Sequence, residues 1–170
     1  WQSPYHDTMI DHDNTVGRLL DLVDELGITE DTIVIYSTDN GPHANSWPDG
    51  ATTPFCSEKN TGWEGAFRVP EMIRWPGKIP PGSVSKAMLS HLDLLPAFVT
   101  AAGAAALKER ILDGRDCLPT LTHHADTPHE RLFFRLGEAV AIREGSLKLM
   151  RPNAKAGWEL YDLDTDPSEK

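Results

Sequence analysis

Asp39 and Asn40 place a carboxylate and an amide oxygen side by side, directly after the apolar run of residues 32–37. In open α/β sheets, ligands collect at the carboxyl ends of the strands. Oxygen donors of this kind suit Ca²⁺ or Mg²⁺. Asp-Asn-Gly is also a good turn tripeptide in its own right. The tripeptide alone therefore leaves two alternatives open, a metal site and an ordinary turn.

The elements that would position these side chains begin with a long helix. Apolar residues recur at helical spacing over residues 4–26, which predicts a helix there. Ser3 is a suitable N-cap, and Pro4 is tolerated at the first helical position. Gly27 stands where a glycine commonly ends a helix.

Two predicted strands and a long loop follow the helix. Residues 32–37 are apolar on both faces, so we expect this strand to lie inside a sheet that is covered on both sides. A second buried strand is predicted over residues 69–75. The intervening residues 41–66 have no periodicity, and loops of that length are usually functional or disordered. Because this loop contains Lys59, we favour a functional loop.

In the second half of the chain, the predicted secondary structure changes from helix to short β-strands. A helix is predicted over residues 92–102, with Asp93 as its N-cap, because Pro96 would then fall where no intrahelical donor is needed. After Gly114, four short β-prone segments are separated by turns, which predicts an antiparallel sheet of three or four strands. These segments are residues 131–135, 139–143, 147–151 and 158–161.

Composition restricts the class of protein. The chain has 170 residues, of which 39% are hydrophobic and 25% charged, as in globular domains. The net charge of −10 argues against nucleic acid and anionic membranes as partners. No apolar run approaches the length of a transmembrane helix. Cys56 and Cys117 could pair, but two cysteines make no disulfide framework, so we favour free structural thiols.

Six segments, in a fixed order, resemble the second half of a formylglycine-dependent sulfatase, an enzyme of the alkaline-phosphatase-like superfamily. The resemblance covers the chain almost from end to end. Ala66, where the family more often has Gly, departs from the pattern of the central loop. The six segments are residues 5–27, the run from Asp39-Asn40-Gly41 through Lys59 and Glu64-Gly65 to Arg68-Val69-Pro70, residues 90–103, Leu112-Asp113-Gly114-Arg115-Asp116, residues 143–149 and residues 159–167.

The resemblance implies an α/β fold. It predicts part of an alkaline-phosphatase-like sheet covered by helices, followed by a small C-terminal antiparallel sheet. Residues 1–114 would form the C-terminal portion of the sulfatase core, and residues 115–170 a small antiparallel β subdomain.

The resemblance also assigns roles to three side chains. Asp39 and Asn40 would be two of four protein ligands to Ca²⁺ or Mg²⁺, and Lys59 would be the catalytic lysine that binds the sulfate group. An ammonium group can stabilise charge that develops on an anionic oxygen, although the usual environment of a lysine is solvent.

Three neighbouring residues are expected to support this loop. Glu64 and Arg68 would brace it through ion pairs, and Gly65 would allow close approach of the backbone. His43 either faces the substrate pocket or is exposed on the loop.

The nucleophile of the family is not found in this chain. Family members carry Cys-x-Pro-Ser-Arg, or Ser in the first position, and that first residue is oxidised to formylglycine. Cys117-Leu118-Pro119-Thr120-Leu121 has Leu where the Arg should stand, so we reject Cys117 as a nucleophile. The chain also begins at Trp1 without Met. We therefore expect a C-terminal fragment of a longer enzyme, inactive alone, with the nucleophile and the remaining metal ligands in the N-terminal half.

Several further expectations follow from the resemblance. The complete enzyme would hydrolyse a sulfate ester and would be periplasmic or secreted, and the isolated chain would self-associate or contact its N-terminal half. A phosphodiesterase or phosphomutase of the same superfamily is the alternative enzyme class. A non-catalytic binding or assembly module is the alternative outside enzymes.

Overall fold

The computed structural model describes residues 2–50, 52–104 and 110–170. The chain divides into two compact units. Unit 1 combines Trp1–Trp75 with Phe133–Lys170, and unit 2 is Pro76–Leu132. Neither unit ends at residue 114. The units reflect contacts within this chain, so the division into domains 1–114 and 115–170 stays a prediction.

Helix α1, Pro4–Glu25, opens unit 1. The Ser3 side chain accepts a hydrogen bond from the His6 amide at 3.3 Å, and Pro4 occupies the first helical position. Gly27 adopts a φ of 65° just after the helix, a conformation that glycine reaches without steric cost. The sequence prediction of this helix and of both its ends is confirmed.

Strands β1, Val34–Ser37, and β2, Glu71–Arg74, pair antiparallel in a two-stranded sheet. The register places Ile35 opposite Ile73. The expectation that both strands are fully buried is wrong: all four residues of β1 are half-buried, and Glu71 and Met72 are exposed. The physical reason is that, among the described residues, β1 has β2 as its one strand partner.

The predicted loop between β1 and β2 contains one short helix. Helix α2, Glu64–Phe67, buries Glu64, Gly65 and Ala66. Ala51 of this loop lies outside the described residues.

Unit 2 contains a 3₁₀ turn, His91–Asp93, followed by helices α3, Leu94–Ala101, and α4, Leu118–His123. Asp93 stands at the N-cap position of α3, as predicted, and Pro96 falls at the third helical position, but the Asp93 side chain makes no capping bond to that helix. It takes part instead in the cap of the preceding turn, whose N-cap residue is Ser90. The Ser90 hydroxyl accepts the Leu92 amide at 3.3 Å, while the Asp93 carboxylate accepts the Ser90 amide at 2.8 Å. The turn therefore begins with a capping box.

The C-terminal sheet has four strands in the order β3-β4-β5-β6, as the sequence predicts. The pairs β4–β5 and β5–β6 are antiparallel. One face buries Ala141, Lys148 and Met150, whereas the opposite face exposes Leu149 and Leu160. The strands are Arg131–Leu136, Ala139–Glu144, Leu147–Arg151 and Glu159–Asp162.

Candidate functional site

The Asp39-Asn40 turn follows β1 directly, as the sequence predicts. Asp39 is exposed and Asn40 is half-buried. The Asn40 side-chain nitrogen donates to the Gly41 carbonyl at 2.9 Å. This bond uses the nitrogen of the side-chain amide. The amide oxygen, which is the atom able to ligate a cation, takes no part in it. Within residues 2–50, 52–104 and 110–170, no hydrogen bond or ion pair holds the Asp39 carboxylate. Oxygens of these two types are those that a hard cation prefers.

Backbone hydrogen bonds join this turn to the Lys59 segment and to α2. The Gly41 amide donates to the Ala66 carbonyl at 2.9 Å, and the Lys59 amide donates to the Pro42 carbonyl at 2.9 Å. The Gly65 amide donates to the Cys56 carbonyl at 2.8 Å. The Asp39-Asn40 turn and the Lys59 segment are therefore held side by side, although 19 positions separate Asn40 from Lys59.

Two glycines make these contacts possible. A Cβ on Gly41 would lie 1.6 Å from the Gly65 carbonyl oxygen, and a Cβ on Gly65 would lie 2.2 Å from the Ser57 carbonyl oxygen. Both distances are far inside van der Waals contact with backbone atoms. The predicted close approach at Gly65 is confirmed, and Gly41 has the same role.

Glu64 braces the loop through ion pairs, as predicted. Its carboxylate lies 3.1 Å from Lys148 Nζ and 3.0 Å from Arg143 Nη1. Arg68 contributes less, because its guanidinium is 3.9 Å from Glu64 and its side chain is 42% exposed. The Arg68 guanidinium instead lies 4.4 Å above the centre of the Phe55 ring, within cation–π distance.

The segment after the turn carries His43. His43 Nδ1 lies 2.9 Å from Ser46 Oγ, and the Ala44 amide donates to Glu58 Oε2 at 2.6 Å. The side chain is half-buried. A role of His43 in a substrate pocket stays a prediction.

Cys56 and Cys117 are not joined by a disulfide, as predicted. Cys117 is 1% exposed and its Sγ lies 3.8 Å from the Asp93 carbonyl oxygen, an environment suited to a structural residue. Burial, together with the nearby charge of Glu169, raises the pKa of the Cys56 thiol. A raised pKa lowers the fraction of reactive thiolate at neutral pH.

Sequence reasoning missed a buried pair in unit 2. His129 Nε2 lies 2.8 Å from both carboxylate oxygens of Asp93, and the two residues are 7% and 0% exposed. Asp93 Oδ1 also accepts the Arg115 amide at 2.8 Å. The two residues are 36 positions apart and share no periodic pattern, so no local signal in the sequence joins them.

The sulfatase family model matches residues 3–104, and the model of the N-sulphoglucosamine sulphohydrolase C-terminal region matches residues 56–170. Each match spans more than half of the chain, so the chain belongs to the sulfatase family. The suspected resemblance to alkaline-phosphatase-like sulfatases is confirmed.

Individual relatives agree with this assignment. N-acetylgalactosamine-6-sulfatase of Canis lupus familiaris is 36% identical over 164 residues, which cover 95% of this chain and 31% of the relative. Arylsulfatase A of Homo sapiens is 38% identical over 155 residues, which cover 86% of this chain and 30% of the relative. The chain thus spans about a third of the length of these curated relatives.

A solved structure supports the fold. A sulfatase from Pseudoalteromonas sp. matches with a TM-score of 0.85 at 25% identity, covering 98% of this chain and 38% of that one. The predicted α/β fold with a small C-terminal antiparallel sheet is therefore confirmed.

In the described part of the chain, no helix is both long and apolar enough to cross a membrane. No group of three or more His, Cys, Asp or Glu side chains there is arranged to hold a metal ion.

Proposed function

We propose that this chain is the part of a sulfatase that supplies Asp39 and Asn40 as metal ligands and Lys59 as the sulfate-binding residue. The observation that carries the proposal is the pair of backbone bonds, Lys59 to Pro42 and Gly41 to Ala66, which hold the three residues in one region of a chain of the sulfatase family. The substrate is a sulfate ester. The relatives carry names that refer to different esters, so the alcohol portion is left open.

Asp39 and Asn40 would hold Ca²⁺ or Mg²⁺ through one carboxylate and one amide oxygen. A divalent cation in such a site polarises an oxygen of the substrate and orients a nucleophile. An amide in place of a second carboxylate lowers the negative charge of the site, which favours entry of an anionic substrate. Because Ca²⁺ takes six to eight oxygens, further ligands would come from outside these 170 residues.

Lys59 would act on the sulfate group itself. Its ammonium group donates to a sulfuryl oxygen and stabilises the charge that grows there as the ester bond breaks. The formylglycine nucleophile and the group that protonates the leaving alcohol would also come from outside this chain. On this proposal the isolated chain binds Ca²⁺ weakly and hydrolyses no ester.

Lys59→Met in the whole protein tests the central role. We expect kcat/KM for an aryl sulfate to fall by about 10²–10³, as for loss of one transition-state donor. Lys155→Met is the matched control, because Lys155 is an exposed lysine of the same unit, and it should leave kcat/KM unchanged. Asp39→Ala should raise the Ca²⁺ concentration needed for half-maximal rate.

The same assay separates the proposed function from its alternatives. Turnover of a phosphate diester in preference to every sulfate ester would indicate a phosphodiesterase. A whole protein that turns over neither class would indicate a non-catalytic module. Metal-dependent turnover by the isolated 170-residue chain, lost in Asp39→Ala, would show that a complete site lies within this chain. It would overturn the proposal that the nucleophile and further metal ligands come from outside it.

A further inference from the structure

Four charged side chains of unit 1 form a buried ion cluster, consisting of Glu64, Arg143, Lys148 and Glu169. Glu64, Lys148 and Glu169 are 2%, 1% and 4% exposed. Lys148 Nζ lies between the two carboxylates, 3.1 Å from Glu64 Oε1 and 2.8 Å from Glu169 Oε1. Arg143 Nη1 lies 3.0 Å from the other oxygen of Glu64. The two negative charges of the glutamates thus balance the two positive charges of Arg143 and Lys148.

Glu169 has a second contact, with the backbone of α2. Its Oε2 accepts the Glu64 amide at 2.7 Å, across 105 positions of sequence. Glu169 itself adopts a left-handed backbone with a φ of 53°, which costs about 1 kcal/mol or more for a residue other than glycine. Such a conformation persists only where its surroundings hold it. Here the Glu169 amide donates to the Asp166 carbonyl at 3.2 Å, and the ion cluster fixes the side chain.

A buried ion cluster is a poor source of stability by itself. Desolvation of the charges offsets most of their attraction, and apolar replacements of similar volume are often as stable or more so. The cluster therefore matters more for the position of α2, to which Glu169 is hydrogen-bonded, than for stability. Helix α2 has four residues and is too short to hold its own position. Yet the Ala66 carbonyl accepts the Gly41 amide, and the Gly65 amide donates to Cys56.

We infer that Glu169 and Lys148 are positioning residues for the candidate site. They hold the first turn of α2, and α2 in turn holds the Asp39-Asn40 turn and the Cys56–Lys59 segment against each other. The effect on sulfate binding rests on the function proposed above. The effect on the position of α2 does not, because it follows from the contacts alone.

The test compares Glu169→Gln with the unmodified whole protein. The side-chain amide keeps the shape but removes the charge that faces Lys148. We expect the Gly41 and Gly65 amides to exchange hydrogen at least tenfold faster, while amides of the β4–β5 pairing change less than threefold. We also expect the Kd for inorganic sulfate to rise at least fivefold, measured by calorimetry. The double variant Lys148→Met with Glu169→Gln leaves Glu64 paired with Arg143, so it should fold even if a single variant does not, and its Gly41 amide should also exchange fast.

His129→Gln is the matched control. It disrupts a buried hydrogen-bonded pair of unit 2, so it lowers the melting temperature without touching α2. Its Gly41 and Gly65 amides and its Kd for sulfate should match those of the unmodified protein. Equal exchange at Gly41 and Gly65 in the unmodified protein and in both cluster variants would overturn the inference, as would acceleration in His129→Gln to the same extent. Absence of sulfate-ester hydrolysis in the unmodified protein would overturn the proposed function alone, and the exchange comparison would still decide the inference.

Discussion

At the scale of single residues, the candidate site depends on two positions that tolerate no side chain. A methyl group on Gly65 would meet the Ser57 and Cys56 carbonyl oxygens at 2.2 and 2.3 Å. Backbone atoms cannot move aside as a flexible side chain would. We therefore expect Gly65→Ala to destabilise the protein by about 3 kcal/mol, the upper end of the usual cost of overpacking. The midpoint of urea unfolding measures this.

Gly17→Ala provides the opposite case and serves as the control. Gly17 lies inside α1, and a Cβ there would meet nothing within 4 Å. Alanine should therefore stabilise the helix by about 0.5–1 kcal/mol. A Gly65→Ala protein as stable as Gly17→Ala would show that α2 does not pack on the Cys56-Ser57 backbone as described.

At the scale of elements, the 3₁₀ turn His91–Asp93 concentrates buried polar contacts in one carboxylate. Asp93 accepts the amides of Ser90 and Arg115 and pairs with His129. Removal of this carboxylate by Asp93→Ala leaves several buried donors without an acceptor, so we expect a loss of about 3–5 kcal/mol. Chemical denaturation followed by circular dichroism measures this.

Ser90→Ala is the companion variant for this turn. It removes the cap on the Leu92 amide but leaves the Asp93 contacts in place, so a loss of about 1 kcal/mol is expected. Similar losses in the two variants would indicate that the capping box, rather than the buried pair, stabilises the turn.

The same scale shows what the sequence predicts and what it does not. The ends of α1 follow from local chemistry, namely the Ser3 cap, Pro4 and Gly27, and they are predicted within a residue. The four C-terminal strands follow from local β propensity and turns. The faces of that sheet do not. In the run Leu147-Lys148-Leu149-Met150, alternation places the lysine inward and both leucines outward, because Glu64 and Glu169 supply the partners of Lys148 from distant positions.

At the candidate site, residues within a local motif were predicted, whereas contacts between residues distant in sequence were not. Asp39, Asn40 and Lys59 were identified by their resemblance to a family motif, and their roles stay predictions. The bracing role of Glu64 was expected, but Glu169 was not, because a hydrogen bond across 105 positions leaves no local pattern. The N-cap position of Asp93 was predicted from local sequence, but its buried contact with His129 was not, since the two residues lie 36 positions apart.

At the scale of the whole chain, apolar side chains remain exposed on several elements, of which α1 and the C-terminal sheet are two. Helix α1 buries none of its residues fully and exposes Leu19 at 59%. The outward face of the C-terminal sheet exposes Leu160 at 65%, opposite Leu149 in the register. Contiguous exposed apolar surface favours association. We expect the isolated 170-residue chain to self-associate despite its net charge of −10, which by itself favours a soluble monomer.

Light scattering coupled to gel filtration, over about a hundredfold range of concentration, tests this expectation. Burial of apolar surface contributes about 25 cal/mol per Å², but association also loses about 4–15 kcal/mol of translational and rotational freedom, so a stable interface needs about 1,200–2,000 Å² of buried surface in total. Leu160→Lys should shift the chain towards monomer, because it places a charge within the exposed row. Val84→Lys is the control: Val84 is 83% exposed but lies outside both elements, so its replacement should leave the distribution of species unchanged. A monodisperse monomer at every concentration would show that these exposed side chains do not drive association in the isolated chain.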